Sequence, residues 1–242
     1  MSGETTFRLG TLFLIPNSLA EESLYEGYLS DLRRVLNGLN LIFAENEKNA
    51  RRAIRRCAPE RSLADIEIIP LDEHSRSEDF PQLLQPMLAG KDAGILSEAG
   101  CPCVADPGAE LVRLAHKHGI RVCSLVGPSS LLLALMASGL NGQSFVFLGY
   151  LPRDSAERKK RIREIEEASR RNKQTQIFIE TPYRNDALLK DILASCRGDT
   201  DLCLAVSLTG PRESVATRTI STWKHDAPTI GKVPAVFLLL AY

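Results

Sequence analysis

Three turns near the middle of this 242-residue chain carry the residue types from which chemistry is built. They are Ser97-Glu98-Ala99-Gly100-Cys101-Pro102, Asp106-Pro107-Gly108 and Val126-Gly127-Pro128-Ser129-Ser130. Each follows a short apolar run that reads as a buried strand, and the last two lead into helical patterns. Ligands of open α/β sheets bind at the carboxyl ends of strands. A turn such as 126–130 offers backbone N–H groups and serine hydroxyls at a helix start, which suits a carboxylate or another polar group. Gly100, lacking a side chain, lets a ligand approach the backbone. Each signal also has a plainer explanation. Asp106 reads as an N-cap and Pro107 as the first helical residue. Glu45 and Glu98 follow strand ends and are the acidic candidates for accepting a proton, although a cap or a surface ion pair is the commoner use of such residues. Arg184 is suited to holding a phosphate or a carboxylate, and its ordinary alternative is exposure at a helix start.

The elements that must position these turns alternate regularly. Leu9–Ile15, Leu41–Ala44, Asp65–Leu71, Ala93–Leu96 and Ile120–Leu125 read as strands. Leu24–Leu36, Asn46–Cys57, Phe80–Leu88, Ala109–Lys117 and Leu131–Ser138 read as helices, the first from Leu24, Tyr28, Leu32, Val35 and Leu36 at helical spacing. Such βα alternation predicts a mainly parallel sheet with helices on both faces. After Gly139-Leu140-Asn141-Gly142 the pattern changes. Strands at Ser144–Tyr150 and Gln176–Ile179 are interleaved with helices at Arg153–Arg171 and Asn185–Ala194. Strands at Leu202–Ser207, Glu213–Ser221 and Val233–Leu240 then follow without helices between them, which predicts antiparallel pairing. The expectation is an α/β protein with a mainly parallel N-terminal domain, residues 1–142, and a mixed C-terminal domain, residues 143–242.

Composition excludes several classes. Apolar residues make up 44% of the chain and charged residues 25%, as in ordinary globular proteins. Thirty lysines and arginines balance thirty aspartates and glutamates, so no overall charge drives the chain toward nucleic acid. No basic-then-apolar leader is present, and the longest apolar runs, Leu131–Ala137 and Val233–Tyr242, are too short to span a bilayer. A cytoplasmic location is expected, with no membrane association. The six cysteines form no CxxC pair, and no histidine stands at a ligand spacing from Cys101 and Cys103, so no metal site is expected. No Gly-x-Gly occurs among the 16 glycines, and no P-loop, Gly-x-Ser-x-Gly elbow or His-Glu-x-x-His is present. The usual nucleotide-binding and hydrolase readings are therefore weak.

In order along the chain, the turns resemble those of a known family. The run from Ser97 to Pro102, followed by Asp106-Pro107-Gly108-Ala109-Glu110-Leu111-Val112, resembles the "SDAGTP…DPG…LV" signature of ribosomal RNA small subunit methyltransferase I, a branch of the tetrapyrrole methylase superfamily. Val126–Ser130 is similar to its "PGP(S/C)A", Ala137-Ser138-Gly139-Leu140 to "ASGL", and Phe147-Leu148-Gly149-Tyr150-Leu151-Pro152 to "F.GFLP", with Arg158 at the arginine that follows. Phe178-Ile179-Glu180-Thr181-Pro182-Tyr183-Arg184 resembles "FYESPHR", and Ala44-Glu45-Asn46 stands where the family has "AEDTR". The likeness runs through nearly the whole chain. Three departures stand out. The family's "GTPIGN" loop is here Leu14-Ile15-Pro16-Asn17-Ser18, without its glycines. Glu98 replaces an aspartate. The family's further C-terminal segment has no counterpart up to Tyr242.

The resemblance implies two α/β domains with S-adenosylmethionine in a cleft between them, and a homodimer. It implies cofactor contacts at Pro16, Gly100, Cys101, Pro102, Val104, Ser129, Ser130, Glu180, Thr209, Pro234 and Ala235. It does not single out a catalytic residue. The activity it implies is methyl transfer from S-adenosylmethionine, foremost to the 2′-hydroxyl of a cytidine in small-subunit ribosomal RNA, with the RNA or the small subunit as partner. A tetrapyrrole or other small-molecule acceptor is the alternative, as is a binder of S-adenosylmethionine without catalysis. Two basic clusters are available for phosphates: Arg51, Arg52, Arg55 and Arg56, and the set from Arg153 to Lys173. Acidic residues interleave with the second set, as on a solvated helix face.

Overall fold

The computed structural model describes residues 8–23, 27, 29–72, 75 and 78–242. Leu24, Tyr28 and His74 lie outside the described residues. The chain forms two compact units, Met1–Ser18 with Tyr25–Pro128, and Leu19–Leu24 with Ser129–Tyr242.

The first unit is an α/β layer structure. Its strands are β1 (Thr11–Ile15), β2 (Leu41–Ala44), β3 (Glu67–Pro70), β4 (Ala93–Leu96) and β5 (Arg121–Ser124), in the order β3-β2-β4-β1-β5. All four pairings are parallel, as the strand–helix alternation predicts. The helices are α1 (Leu29–Gly38), α2 (Glu47–Cys57), α3 (Phe80–Leu88) and α4 (Ala109–Lys117). Every residue of β2 and β4 is buried, the mark of central parallel strands covered on both faces. Alternate residues serve opposite faces. Ile42 and Ala44 join Leu32, Leu36, Ala50, Ala53 and Ile54 of α1 and α2 in one core. Leu41 and Phe43 join Phe80, Leu84, Met87, Leu111 and Ala115 of α3 and α4 in the other. Helix α2 starts on Asn46, whose side chain accepts from the Asn49 N–H at 3.0 Å, and it turns its Ala50, Ala53, Ile54 and Cys57 stripe inward.

The second unit holds α5 (Ser130–Ser138), β6 (Phe145–Tyr150), α6 (Ser155–Asn172), β7 (Thr175–Ile179), α7 (Asn185–Ser195), β8 (Asp201–Val206), β9 (Ser214–Thr219), α8 (Ile220–His225) and β10 (Ala235–Leu240). Its sheet runs β6-β7-β10-β8-β9. Strands β6 and β7 are parallel and the other pairs antiparallel, the mixed sheet that the sequence predicts. Phe178, Phe237, Leu202 and Leu239 face α6, α7 and α8. Ile177, Cys203, Ala205, Val236 and Leu238 face α5. The second face needs an apolar cover, and this is why α5 belongs to this unit although the composition change falls later, at residues 139–144. The sequence also predicts no helix between the last strands, whereas α8 follows β9 directly. Thr219 caps it by accepting from the Thr222 N–H, and Ile220 and Trp223 are buried beneath it.

An ion pair anchors the front of α6. Arg158, 5% exposed, donates from Nε to Asp191 Oδ2 of α7 at 2.8 Å and from Nη1 to the carbonyls of Pro152 and Arg153. Ser155 hydroxyl and Lys159 also reach the Asp191 carboxylate. Both charges are thus buried with their hydrogen-bonding capacity used, the condition under which a buried pair is tolerated.

Candidate functional site

In the first unit the candidate residues gather at the carboxyl edge of the parallel sheet. Asn17, just past β1, makes a two-way backbone bridge with Gly100: its N–H donates to the Gly100 carbonyl at 2.9 Å and its carbonyl accepts from the Gly100 N–H at 3.0 Å. Its Nδ2 donates to the carbonyls of Ser97 and Glu98, and its Oδ1 accepts from Arg56 of α2 at 2.6 Å. One side chain therefore ties the loops after β1 and β4 to α2. The Glu98 carboxylate accepts from Asn49 Nδ2 at 2.7 Å, a second tie to the same helix. Pro16 is buried, and a Cβ placed on Gly127 would stand 2.2 Å from Pro16 Cγ, so only glycine permits this contact. Gly100 and Pro102 are buried, Cys101 is half-buried, and Val104 is 47% exposed.

The aspartate of Asp106-Pro107-Gly108 does not cap α4. The residue preceding that helix is Gly108, at φ 117°, and no side chain caps it. Asp106 instead accepts from the Ser97 hydroxyl, a partner nine residues back that local sequence does not reveal. Burial pushes its carboxyl above the usual carboxylate range, the Glu98 charge adds to this, and the Ser97 hydrogen bond opposes it. Burial, with the Asp106 charge behind it, pushes the Cys103 thiol up to about 11. Cys103 and Ala105 adopt left-handed backbone at φ 66° and 56°. Non-glycine residues rarely do so, and such strain concentrates at functional loops. Sequence reading gave Asp106 the wrong role, an N-cap, and missed the bridging role of Asn17. A polar residue one proline beyond an apolar strand end was the available signal for Asn17.

In the second unit Glu180, Thr209, Pro234 and Ala235 come together at one end of the mixed sheet. Antiparallel pairing sets the end of β7, the start of β10 and the end of β8 side by side, with Val236 opposite Ile179 and Ala235 opposite Val206. The Ser207 N–H donates to the Pro234 carbonyl at 2.9 Å. Glu180 is buried. Its Oε1 accepts from Arg184 Nη2 at 2.6 Å and from the Thr181 N–H, while its Oε2 has no partner. Arg184 is thereby half-buried, its Nη2 held by the Glu180 carboxylate and its Nε by the Thr181 hydroxyl.

Thr209 is the most unusual residue of this edge. It is 4% exposed, its Oγ1 has no hydrogen-bond partner, and its backbone sits at φ 65°. A β-branched residue in that region is an outlier. Ser207, two residues earlier, is also left-handed at φ 51°. The Glu213 carboxylate accepts from the Thr209 N–H at 2.6 Å and holds the turn. A buried carboxylate oxygen and a buried hydroxyl, both orphaned on one sheet end, are what a ligand carrying hydroxyl or amino groups would satisfy. The edge thus fits the ribose and adenine chemistry of S-adenosylmethionine. At the start of this unit Ser129 caps α5 by accepting from the Leu132 N–H at 3.5 Å, and Ser130 is the first residue of the helix.

Glu45 is exposed. The cysteines are all free thiols, and no group of three or more histidine, cysteine, aspartate or glutamate side chains forms a metal site among the described residues. Among the described residues, no helix is long and apolar enough to cross a membrane.

Comparison with known proteins bears on the family and the fold. The family of tetrapyrrole (corrin/porphyrin) methylases matches residues 31–223. A ribosomal RNA small subunit methyltransferase I of Pseudomonas aeruginosa is 32% identical over 210 residues, 85% of this chain and 69% of that one. The enzyme of the same name from Bacillus subtilis (strain 168) is 30% identical over 230 residues, 93% of this chain and 73% of that one. Among solved structures, the methyltransferase CobJ superposes with a TM-score of 0.62 at 17% identity, covering 96% of this chain and 94% of its own. A uroporphyrin-III C-methyltransferase from Thermus thermophilus, complexed with S-adenosylhomocysteine, gives 0.54 at 18% identity, covering 96% and 97%. The chain belongs to the tetrapyrrole methylase family. It is a methyltransferase, and its cofactor is S-adenosylmethionine.

Proposed function

We propose that this methyltransferase modifies the 2′-hydroxyl of a cytidine in small-subunit ribosomal RNA. The observation that carries the reading is the 32% identity, over 85% of the chain, to an enzyme named for methylating that RNA. Its partner in this reading is the RNA or the small ribosomal subunit, it works in the cytoplasm, and it forms a homodimer. The proposed cofactor contacts are Pro16, Gly100, Cys101, Pro102 and Val104 in the first unit. In the second they are Ser129, Ser130, Glu180, Thr209, Pro234 and Ala235.

S-adenosylmethionine, when bound, supplies a methyl group on a positively charged sulfur. The protein's part is to hold and orient, because the donor carries its own reactivity. Asn17 fixes the bridged loops at Gly100, so the backbone there is set before any ligand arrives. The orphaned Glu180 Oε2 accepts from an N–H or O–H, and Thr209 Oγ1 donates or accepts. Glu98 and Asp106 are the carboxyl groups beside the Gly100 loop, and each is already held by a neighbour, Asn49 and Ser97.

Tritium transfer from labelled S-adenosylmethionine tests the reading. The acceptors are small subunits and total RNA from cells lacking this gene, with wild-type RNA as control and a tetrapyrrole in a parallel reaction. Label entering only the RNA from deficient cells, resistant to alkali at one cytidine, is the expected result. Absence of label from RNA, with incorporation into a tetrapyrrole, would reject the RNA acceptor.

A further inference from the structure

Helix α2 carries a charge pattern that its own stability does not explain. Five of its eleven residues are basic and one is acidic. Lys48, Arg51, Arg52 and Arg55 fall at i, i+3, i+4 and i+7, one stripe opposite the buried stripe of Ala50, Ala53, Ile54 and Cys57. Like charges four residues apart repel, which disfavours the helix. Lys48 stands in the first turn, where the helix dipole also disfavours a cation. The dipole accounts only for Arg55 and Arg56 in the last turn.

Two cations of this face, Lys48 and Arg55, are left without an acidic partner among the described residues. Glu47 pairs with Arg51 at 2.8 Å, and Arg51 also donates to the Leu63 carbonyl, which fixes it in place. On α6 four cations are paired, while Lys160 and Arg163 stand exposed and do not line the groove that α2 forms. Arg158 and Lys159 meet Asp191, Arg161 meets Glu164, and Arg170 meets Glu167.

The α2 stripe lines a groove of about 690 Å³, together with Asn46, Glu47 and Leu63. The helix that lines the groove also meets the candidate site. Asn46 is two residues beyond β2 at the carboxyl edge of the sheet, and Asn49 and Arg56 bond to Glu98 and Asn17 of the bridged loops. A groove lined by four cations and one carboxylate complements a polyanion.

We infer that the α2 groove is where the phosphate backbone of an RNA substrate lies, with Lys48 and Arg55 as its phosphate contacts. The inference rests on the RNA reading above for its ligand class. Phosphate contacts position a strand without reading its bases, so the groove sets register and leaves the choice of nucleotide to the site beside it.

The experiment compares wild type with the double variant K48Q/R55Q. A second double variant, K160Q/R163Q on the exposed face of α6, is the control. Binding of a short fluorescein-labelled single-stranded RNA is followed by anisotropy across a salt series. Each phosphate contact on a single strand contributes about 0.7 to the slope of log affinity against log salt. The α2 variant should lose about 1.4 of that slope and bind about tenfold more weakly at low salt, equally for different RNA sequences. The control should bind as wild type does. Circular dichroism melting and calorimetric binding of S-adenosylmethionine should be unchanged in both, since glutamine is a good helix former and the side chains are exposed. Equal affinity and slope in wild type and the α2 variant would overturn the inference, as would wild-type protein that binds RNA without salt dependence or not at all. Methyl transfer is read separately. Salt-dependent binding lost in the α2 variant, with no transfer to any RNA, rejects the acceptor and leaves the groove standing. Transfer by wild type and the α2 variant alike, with unchanged binding, rejects the groove and leaves the acceptor.

Discussion

Thr209 concentrates the argument at the scale of single residues. A buried β-branched side chain held left-handed, with an unpartnered hydroxyl, costs stability twice and gains nothing inside the chain. Replacement by glycine removes the backbone strain, which is of the order of 1–2 kcal/mol for a left-handed non-glycine residue. Thr209→Gly is therefore expected to raise the urea midpoint while weakening S-adenosylmethionine by about tenfold, the loss of one good hydrogen bond. Denaturation and calorimetry on the same preparation check the two halves, and equal affinity would detach Thr209 from the cofactor. Asp106 gives a pH signature of defined sign. Its carboxyl is raised in the folded protein, so the folded state holds the proton more tightly than the unfolded chain. Its penalty is absent below the unfolded pKa and appears as pH rises through the folded one. Asp106→Asn should raise the urea midpoint at pH 7, and that gain should vanish on acidification. The Cys103 thiol, pushed from 9.0 to about 11, should be about 100-fold slower toward iodoacetamide at pH 8 than a thiol with the ordinary value.

Elements reveal which parts of the sequence speak for themselves. The buried Arg158–Asp191 pair joins α6 to α7, and truncating one partner strands the other charge. Arg158→Ala is expected to cost about 3–5 kcal/mol, and exposed Arg161→Ala, whose partner is also exposed, under about 1 kcal/mol. Trp223 is the single tryptophan, buried with its Nε1–H on the Leu202 carbonyl, so its fluorescence follows this unit through denaturation. Strands such as β2 and β4 were legible because four consecutive buried apolar residues suit little else in an alternating pattern. Helix α8 was not, because six residues behind a threonine cap carry too little periodicity to distinguish them from the end of β9. At the candidate site, the loops around Gly100 and Ser129 were legible as turns, and the family likeness directed attention to Glu180 and Thr209. The strain at Thr209, the Ser97 partner of Asp106 and the capture of Arg184 by Glu180 were not legible from composition or period. Each depends on what the rest of the fold brings near.

At the scale of the whole molecule, two five-stranded sheets reach their order by opposite routes. In the first, β1 is made early yet pairs with β4 and β5, so it waits for residues 93–96 and 121–124. In the second, β10 lies between β7 and β8, with every residue buried. Its removal would separate β6-β7 from β8-β9 and leave two ribbons, each short of the three strands an independent sheet needs. The order of synthesis is thus written into the topology. A nascent chain stalled before Ala235 should show protease protection in the first unit alone, and limited proteolysis of stalled chains reads this directly. Until that strand emerges, the apolar faces it will cover stay open to chaperones and to neighbouring chains. The residues with most influence on yield in the cell are then the six of β10, the strand that completes the second sheet.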